Sequence, residues 1–119
     1  LAVDRGNKDV ASLYNPCDPS VLRLIQMSVD VARDNDVPVS LCGQMSANSL
    51  YTPLLLGLGL RDLSVTPSSV PEIKQLCRSV SIDYCQSVAK RARKMDDAMV
   101  ITDYLKDELR KIAPKLLVH

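Results

Sequence analysis

The strongest constraint on the fold is an alternation of helical and extended segments along the first 80 residues. An amphipathic helix of about sixteen residues is predicted from Pro19, because Asp18 can cap it and proline suits a first helical turn. Its wide apolar stripe is expected to pack against a sheet. Two β-prone runs follow at 37–42 and 63–66, and the apolar segment 50–60 between them predicts a helical crossover. Such crossovers join parallel strands, so the order predicts an α/β fold.

The remaining segments are predicted to be helical. One helix starts at 68–72, where one of the serines 68 and 69 is expected to cap it, and two more cover 82–94 and the stretch from residue 96 or 97 to 112. Cys77 and Cys85 lie on helical faces and are expected to fill the core.

The predicted sheet is incomplete. A (β/α)8 TIM barrel needs about 250 residues, so 80 residues amount to two or three strand-helix units. We therefore predict the last two to three units of such a barrel plus a C-terminal helical tail. Residues 1–119 are interpreted as a single partial domain, with barrel units over 1–80 and the tail over 81–119. Exposed apolar sheet edges predict that the chain pairs with copies of itself or with its missing half, and we expect a homo-oligomer.

Composition supports a globular protein with an aliphatic core. The chain is 46% hydrophobic and 24% charged, and it has no Trp or Phe. The net charge of +1 indicates neither a nucleic-acid partner nor an anionic membrane surface. No apolar run reaches the length of a membrane span, and the opening residues lack a signal-peptide pattern. We expect a cytoplasmic protein, and we interpret a chain that begins at Leu1 as an excised or cleaved piece.

The four cysteines form no CxxC pair, and the one histidine is His119. This spacing predicts free thiols and no zinc site. The triplet Cys42-Gly43-Gln44 directly follows the first predicted strand, which in an α/β barrel is the catalytic end. A thiol there can act as a nucleophile or a proton donor. The alternative is a small buried thiol at a strand end, and the pattern alone leaves both open.

Six motifs in order carry a resemblance that covers nearly the whole chain. The chain resembles the C-terminal end of the Enzyme I family, the phosphoenolpyruvate-protein phosphotransferases of the bacterial sugar phosphotransferase system. The motifs are LAVDRGN (1–7), SLYNP (12–16), PSVLRLI (19–25), LCG (41–43), LLLGLGL (54–60) and SVTPSSVP (64–71).

The resemblance implies a magnesium-dependent barrel that binds phosphoenolpyruvate. In that family, phosphate passes to a histidine on a separate N-terminal domain and then to a small phosphocarrier protein. Arg5 matches the family arginine that contacts the substrate phosphate, and a guanidinium suits paired phosphate oxygens. Cys42 matches the family cysteine that serves as proton donor and acceptor at the methylene carbon of the enolate. A surface role for Arg5 on a frayed terminus is the alternative.

This chain departs from the family pattern at two positions, and several parts of the family's active site are not in it. Gln44 and Asn48 stand where the family usually has Glu and often Asp. The family's metal-binding acids and further phosphate-binding arginines precede the matched region, so we predict that the isolated chain is inactive and binds no Mg²⁺. The alternatives are a self-standing dimerisation or interaction domain derived from the barrel, a fragment of a phosphoenolpyruvate synthase or pyruvate-phosphate dikinase, and a nitrogen-regulatory paralogue.

Overall fold

The structure, a computed structural model, describes residues 15–113. Helices and short parallel strands follow one another along this range. The elements are α1 (Pro19–Asp34), β1 (Ser40–Leu41), α2 (Gln44–Ala47), a 3-10 turn (Ser49–Tyr51), α3 (Thr52–Gly57), β2 (Asp62–Leu63), a second 3-10 turn (Pro67–Ser69), α4 (Val70–Ser79), α5 (Ile82–Ala92) and α6 (Ala98–Ile112). No helix in this range is long and apolar enough to cross a membrane.

Strands β1 and β2 form a parallel pair, with Ser40 opposite Asp62 and Leu41 opposite Leu63. The backbone N–H of Ser64 extends the ladder by donating to the Leu41 carbonyl at 2.8 Å. The parallel strands and their helical crossover confirm the α/β prediction. The strands have two residues each, so the predicted lengths of 37–42 and 63–66 are wrong. Ladder bonds need a paired neighbour, and Pro38 has no N–H to donate. A sheet of two strands over 15–113 does not establish the predicted barrel.

Three predicted helix starts are confirmed by their capping bonds. Asp18 accepts a hydrogen bond from the Ser20 backbone N–H at the start of α1, which spans 16 residues. The N-caps of α5 and α6 are Ser81 and Asp97. The predicted serine cap of α4 is wrong, because Ser69 makes no capping bond. Its hydroxyl instead lies 3.0 Å from that of Thr66 within the preceding 3-10 turn.

The core is aliphatic, as predicted, and it is centred on α3. The side chains with the least exposure include Leu54, Leu55, Leu58, Leu60, Leu76, Ile101 and Leu105. Helix α3 packs closely on α5, since a Cβ on Gly57 would lie 2.0 Å from the Cys85 carbonyl oxygen. Side chains from α5 and α6 belong to the same cluster as those from α3. The helices after residue 81 therefore share one core with the strands and α3.

All four cysteines are free, as predicted, but they differ in exposure. Cys17 and Cys85 are buried, whereas Cys42 and Cys77 are exposed. The prediction that Cys77 fills the core is therefore wrong. Leu76 faces the core, and the next residue on a helix points about 100° away, which turns Cys77 toward solvent.

The wide apolar stripe of α1 is only partly covered. Leu22 and Val29 are buried, and the Gln26 side-chain amide donates to the Leu58 carbonyl at 3.2 Å. Leu24 and Val31, however, are 58% and 61% exposed. The expectation that the whole stripe packs against a sheet is wrong, because two strands of two residues each offer too little surface to cover it.

Candidate functional site

The candidate site lies at the carboxyl ends of the two parallel strands. Cys42 directly follows β1, and Ser64 directly follows β2. Because parallel strands end at the same edge of a sheet, the two loops that begin at these residues lie side by side. In α/β sheets, this carboxyl edge is where catalytic and binding side chains collect.

Gly43 turns the chain sharply after Cys42. Its backbone has φ 106° and ψ −168°, a conformation that side chains with a Cβ rarely adopt. A Cβ built at this position would meet no atom of residues 15–113 within 4 Å. The glycine is thus required by the backbone conformation, and the space beside it is open among the described residues.

A buried serine ties the loop after β1 to the loop after β2. Ser46 is fully buried, and its hydroxyl lies 2.9 Å from the Gly43 carbonyl and 2.6 Å from the Ser64 carbonyl. A single hydroxyl proton is shared between these acceptors. The hydroxyl therefore holds the turn after Cys42 in a fixed relation to β2.

A second serine joins the same loop to α4. Ser49 is buried, and its hydroxyl donates to a Glu72 side-chain oxygen at 3.3 Å. Asn48 uses its side-chain oxygen to accept from the Leu50 backbone N–H at 3.0 Å, which caps the 3-10 turn. Asn48, one of the two departures from the family pattern, thus uses its side chain to cap the adjacent 3-10 turn.

The sequence analysis assigned no role to Ser46 or Ser49. The available signal was the spacing: Ser46 and Ser49 are three residues apart, so they share one side of a helical turn. Their partners at positions 64 and 72 are distant in sequence, and the spacing alone does not identify them.

Cys42 presents an exposed, free thiol at this edge. The alternative of a buried structural thiol is therefore wrong for residue 42. The two buried cysteines differ from Cys42. Burial raises the pKa of the Cys17 thiol, and a hydrogen bond with the Thr102 side chain lowers that pKa by a smaller amount. Burial also raises the pKa of Cys85. An accessible thiol can donate a proton to a bound carbon centre, which a core thiol cannot reach.

Arg5, the other site residue predicted from the sequence, lies outside the described residues. Its placement relative to Cys42 remains a prediction. Over residues 15–113, no three His, Cys, Asp or Glu side chains come together in a group that could hold a metal ion. The described residues thus do not fit a magnesium site.

Comparison with known proteins shows the family of the chain. Residues 1–82 match the family model described as PEP-utilising enzyme, PEP-binding domain. The chain is 38% identical over 105 residues to the phosphoenolpyruvate-protein phosphotransferase of Buchnera aphidicola subsp. Schizaphis graminum, which covers 88% of this chain and 18% of the relative.

Two further relatives extend the comparison. The phosphoenolpyruvate-protein phosphotransferase of Mycoplasma genitalium is 34% identical over 93% of this chain and 19% of its own length. The multiphosphoryl transfer protein 1 of Escherichia coli K12 is 40% identical over 84% of this chain and 12% of its own length. The chain thus spans less than a fifth of the curated relatives described here. The match over residues 1–82 shows that the chain belongs to the PEP-utilising enzymes, in the region of their PEP-binding domain.

Proposed function

We propose that this chain supplies the carboxyl edge of a phosphoenolpyruvate-binding barrel in an Enzyme I type phosphotransferase, with Cys42 as the proton donor and acceptor. The observation that carries the proposal is the exposed Cys42 thiol at the end of β1. Its loop is fastened to β2 through the buried Ser46 hydroxyl. A group fixed in this way can reach a substrate without first reorganising its loop.

The proposed step transfers one proton. The Cys42 S–H bond breaks and a C–H bond forms at the methylene carbon of the enolate of pyruvate, which becomes a methyl group. A thiolate remains on Cys42 and regains a proton from water. In the reverse direction, the thiolate removes a methyl proton. An exposed thiol beside an open glycine turn has the access that both directions require.

Arg5 is proposed to bind the phosphate of phosphoenolpyruvate, because it occupies the arginine position of the AVDRGN motif. A guanidinium can donate two parallel hydrogen bonds to phosphate oxygens. Residue 5 lies within the segment matched by the family model, which supports this assignment.

The wider setting is also part of the proposal. Two parallel strands joined by a helical crossover are what consecutive units of a (β/α)8 barrel contain, so we propose that residues 1–80 are barrel units and 81–119 a helical tail. The names of the relatives support phosphoenolpyruvate as substrate and a protein as phosphoryl acceptor, with a phosphocarrier as partner. A cytoplasmic, magnesium-dependent and oligomeric parent enzyme completes the proposal. The same names favour it over the synthase and dikinase alternatives.

The first test is a calorimetric titration of the 119-residue chain with phosphoenolpyruvate and Mg²⁺. We expect no heat, because residues 15–113 bring together no group of side chains that could bind a metal ion. Phosphoryl transfer depends on cationic groups that hold the negative charge of the phosphate. Binding that requires Mg²⁺ would contradict the proposal that the metal ligands lie elsewhere in a larger enzyme.

The decisive test places this chain in the corresponding segment of the Mycoplasma genitalium relative and follows deuterium exchange at the methyl group of pyruvate by NMR. Cys42→Ala should slow exchange by about 100-fold or more while phosphoenolpyruvate still binds. Cys77→Ala is the matched control, because that thiol is also exposed but lies on α4. Arg5→Ala should weaken phosphoenolpyruvate binding, whereas Arg78→Ala should not.

Unchanged exchange in Cys42→Ala would remove that residue from the proposed role. Equal affinity in Arg5→Ala would refute the phosphate contact. A chimera that folds and binds phosphoenolpyruvate but exchanges no protons would contradict the proposal that this chain supplies the reacting edge.

A further inference from the structure

A small cleft with two arginines lies between the start of α1 and the end of α5. Its volume is about 150 Å³. Leu22 and Ala92 line the cleft and are buried. Arg23, Arg93 and Asp96 also line it and are exposed. Pockets for organic ligands usually measure about 300–1,000 Å³, whereas a single water molecule needs far less space than this cleft offers. The size therefore suits a small polyatomic ion.

The two arginines of the cleft have no partner in the part of the chain that the structure describes. Neither forms an ion pair or a side-chain hydrogen bond there, although Asp96 lines the same cleft. Other arginines are engaged, since Arg33 is paired with Asp30 and Arg61 donates to two backbone carbonyls. Two guanidinium groups without partners on one cleft favour an anion as the ligand.

The backbone at the start of α1 already uses its donors. The Ser20 N–H donates to the Asp18 side chain at 2.9 Å. The N–H groups of Val21 and Leu22 donate to the Asp18 carbonyl at 2.9 and 3.1 Å. An anion in the cleft is therefore held by the arginine side chains, each of which can donate two parallel hydrogen bonds to an oxyanion. Four of the five residues 90–94 are Lys or Arg, which adds positive potential beside the cleft.

Asp96 determines which oxyanion fits. Its carboxylate accepts hydrogen bonds but donates none, so it repels an anion that carries no proton. Hydrogen phosphate keeps one P–O–H group at neutral and mildly alkaline pH, and this hydroxyl can donate to the carboxylate. Sulfate has no such hydroxyl, and a phosphate monoester has lost its own at pH 8. The combination of two arginines and one carboxylate thus matches inorganic phosphate and discriminates against both other anions.

We propose that the cleft between α1 and the end of α5 binds inorganic phosphate through Arg23 and Arg93, with Asp96 accepting the phosphate hydroxyl. No residue of the loops that follow β1 and β2 lines this cleft, so the inference is independent of the proposed proton transfer at Cys42. Phosphoenolpyruvate is a phosphate monoester and is not the ligand of this cleft. Because both arginines are exposed, binding is weak, with a dissociation constant of about millimolar order.

The test is a ¹H–¹⁵N NMR titration of the 119-residue chain with sodium phosphate at pH 8 and constant ionic strength. Sodium sulfate and glycerol 3-phosphate are the comparison ligands. We expect saturable shifts of the amide signals of residues 93–96 with phosphate, and dissociation constants about tenfold or more higher for the other two anions. Arg23→Gln and Arg93→Gln should each raise the phosphate constant about tenfold or more. Arg78→Gln is the matched control, because Arg78 is an exposed arginine in the last turn of α4, and it should change the constant less than about twofold. Glutamine keeps the helix propensity of arginine, so the helices are retained.

Asp96→Asn tests the selectivity. A side-chain amide donates hydrogen bonds to an anion that carries no proton, so this variant should bind sulfate and phosphate within about threefold of each other. Circular dichroism of every variant verifies that the helices remain.

Shifts that do not saturate, equal affinity of the parent chain for the three anions, or a phosphate constant that is insensitive to Arg23→Gln and Arg93→Gln would overturn the proposal. So would a loss of binding in Arg5→Ala with those two variants unaffected, because the phosphate would then lie at the proposed substrate site. Selectivity that persists in Asp96→Asn would refute the role of Asp96.

Discussion

The contact between α3 and α5 makes Gly57→Ala the most informative change to the fold. A Cβ at this position would lie 2.0 Å from the carbonyl oxygen and 2.6 Å from the carbonyl carbon of Cys85, and 2.8 Å from the Ala89 Cβ. Two of these three atoms belong to the backbone of α5 and cannot rotate away. Since Cβ atoms essentially never approach another atom closer than 3.0 Å, the helices must separate by at least 1 Å at this point.

The size of the effect follows from packing. Overpacking a close contact costs about 1–3 kcal/mol, and a clash with backbone belongs at the upper end of that range. Alanine regains up to about 1 kcal/mol of helix propensity, but Gly57 is the last residue of α3, where little of that gain applies. We therefore expect Gly57→Ala to lower the free energy of unfolding by about 2–3 kcal/mol, a large share of the stability of a small domain.

Urea unfolding followed by circular dichroism measures this loss. Adding Ala89→Gly removes the side-chain contact and leaves the backbone contact, so the double variant should stay destabilised. A Gly57→Ala chain within about 0.5 kcal/mol of the parent would refute the reasoning, because it would mean that α3 and α5 are not in close contact. Full recovery in the double variant would contradict the role of the Cys85 backbone.

Three further changes test other parts of the structure. Ser46→Ala should lower the free energy of unfolding by about 1–2 kcal/mol in urea titrations, since two loop carbonyls lose their shared donor. Burial, reinforced by a hydrogen bond to Glu108, holds the pKa of Tyr84 well above its usual range. The contribution of Tyr84 to the free energy of unfolding is therefore complete below about pH 10 and is lost as the pH rises further. Unfolding measured from pH 8 to 11 should show that loss, and an equal loss in Tyr84→Phe would contradict its assignment to Tyr84. A thiol-reactive disulfide should label Cys42 and Cys77 rapidly in the native chain and the other two cysteines only in denaturant; rapid labelling of all four would contradict the burial of Cys17 and Cys85.

Local chemistry explains why the helix starts could be predicted. Each of the three confirmed starts has a cap that joins a side chain to a backbone N–H two or three residues away: Asp18 to residue 20, Ser81 to residue 84 and Asp97 to residue 99. Both partners are visible in a short window of sequence. The failed cap at Ser69 has the same origin, because Thr66 competes for its hydroxyl within a turn that the pattern did not indicate.

The candidate site likewise has features that the sequence predicted and features that depend on the tertiary structure. The position of Cys42 after a strand followed from the order of segments, and the resemblance assigned its role. Its exposure, and the contact of Ser46 with the Ser64 carbonyl 18 residues away, depend on how β1 and β2 pair. No local pattern carries that information.

By itself, the sequence determined the starts of α1, α5 and α6, the aliphatic core, the α/β order and the family, because these follow from neighbouring residues or from ordered motifs. Only the tertiary structure decided the length of the strands, the exposure of Cys77 and the uncovered side of α1. A strand extends only as far as its partner allows, and a side chain is buried only where a distant segment covers it. Both conditions depend on contacts between residues far apart in the chain.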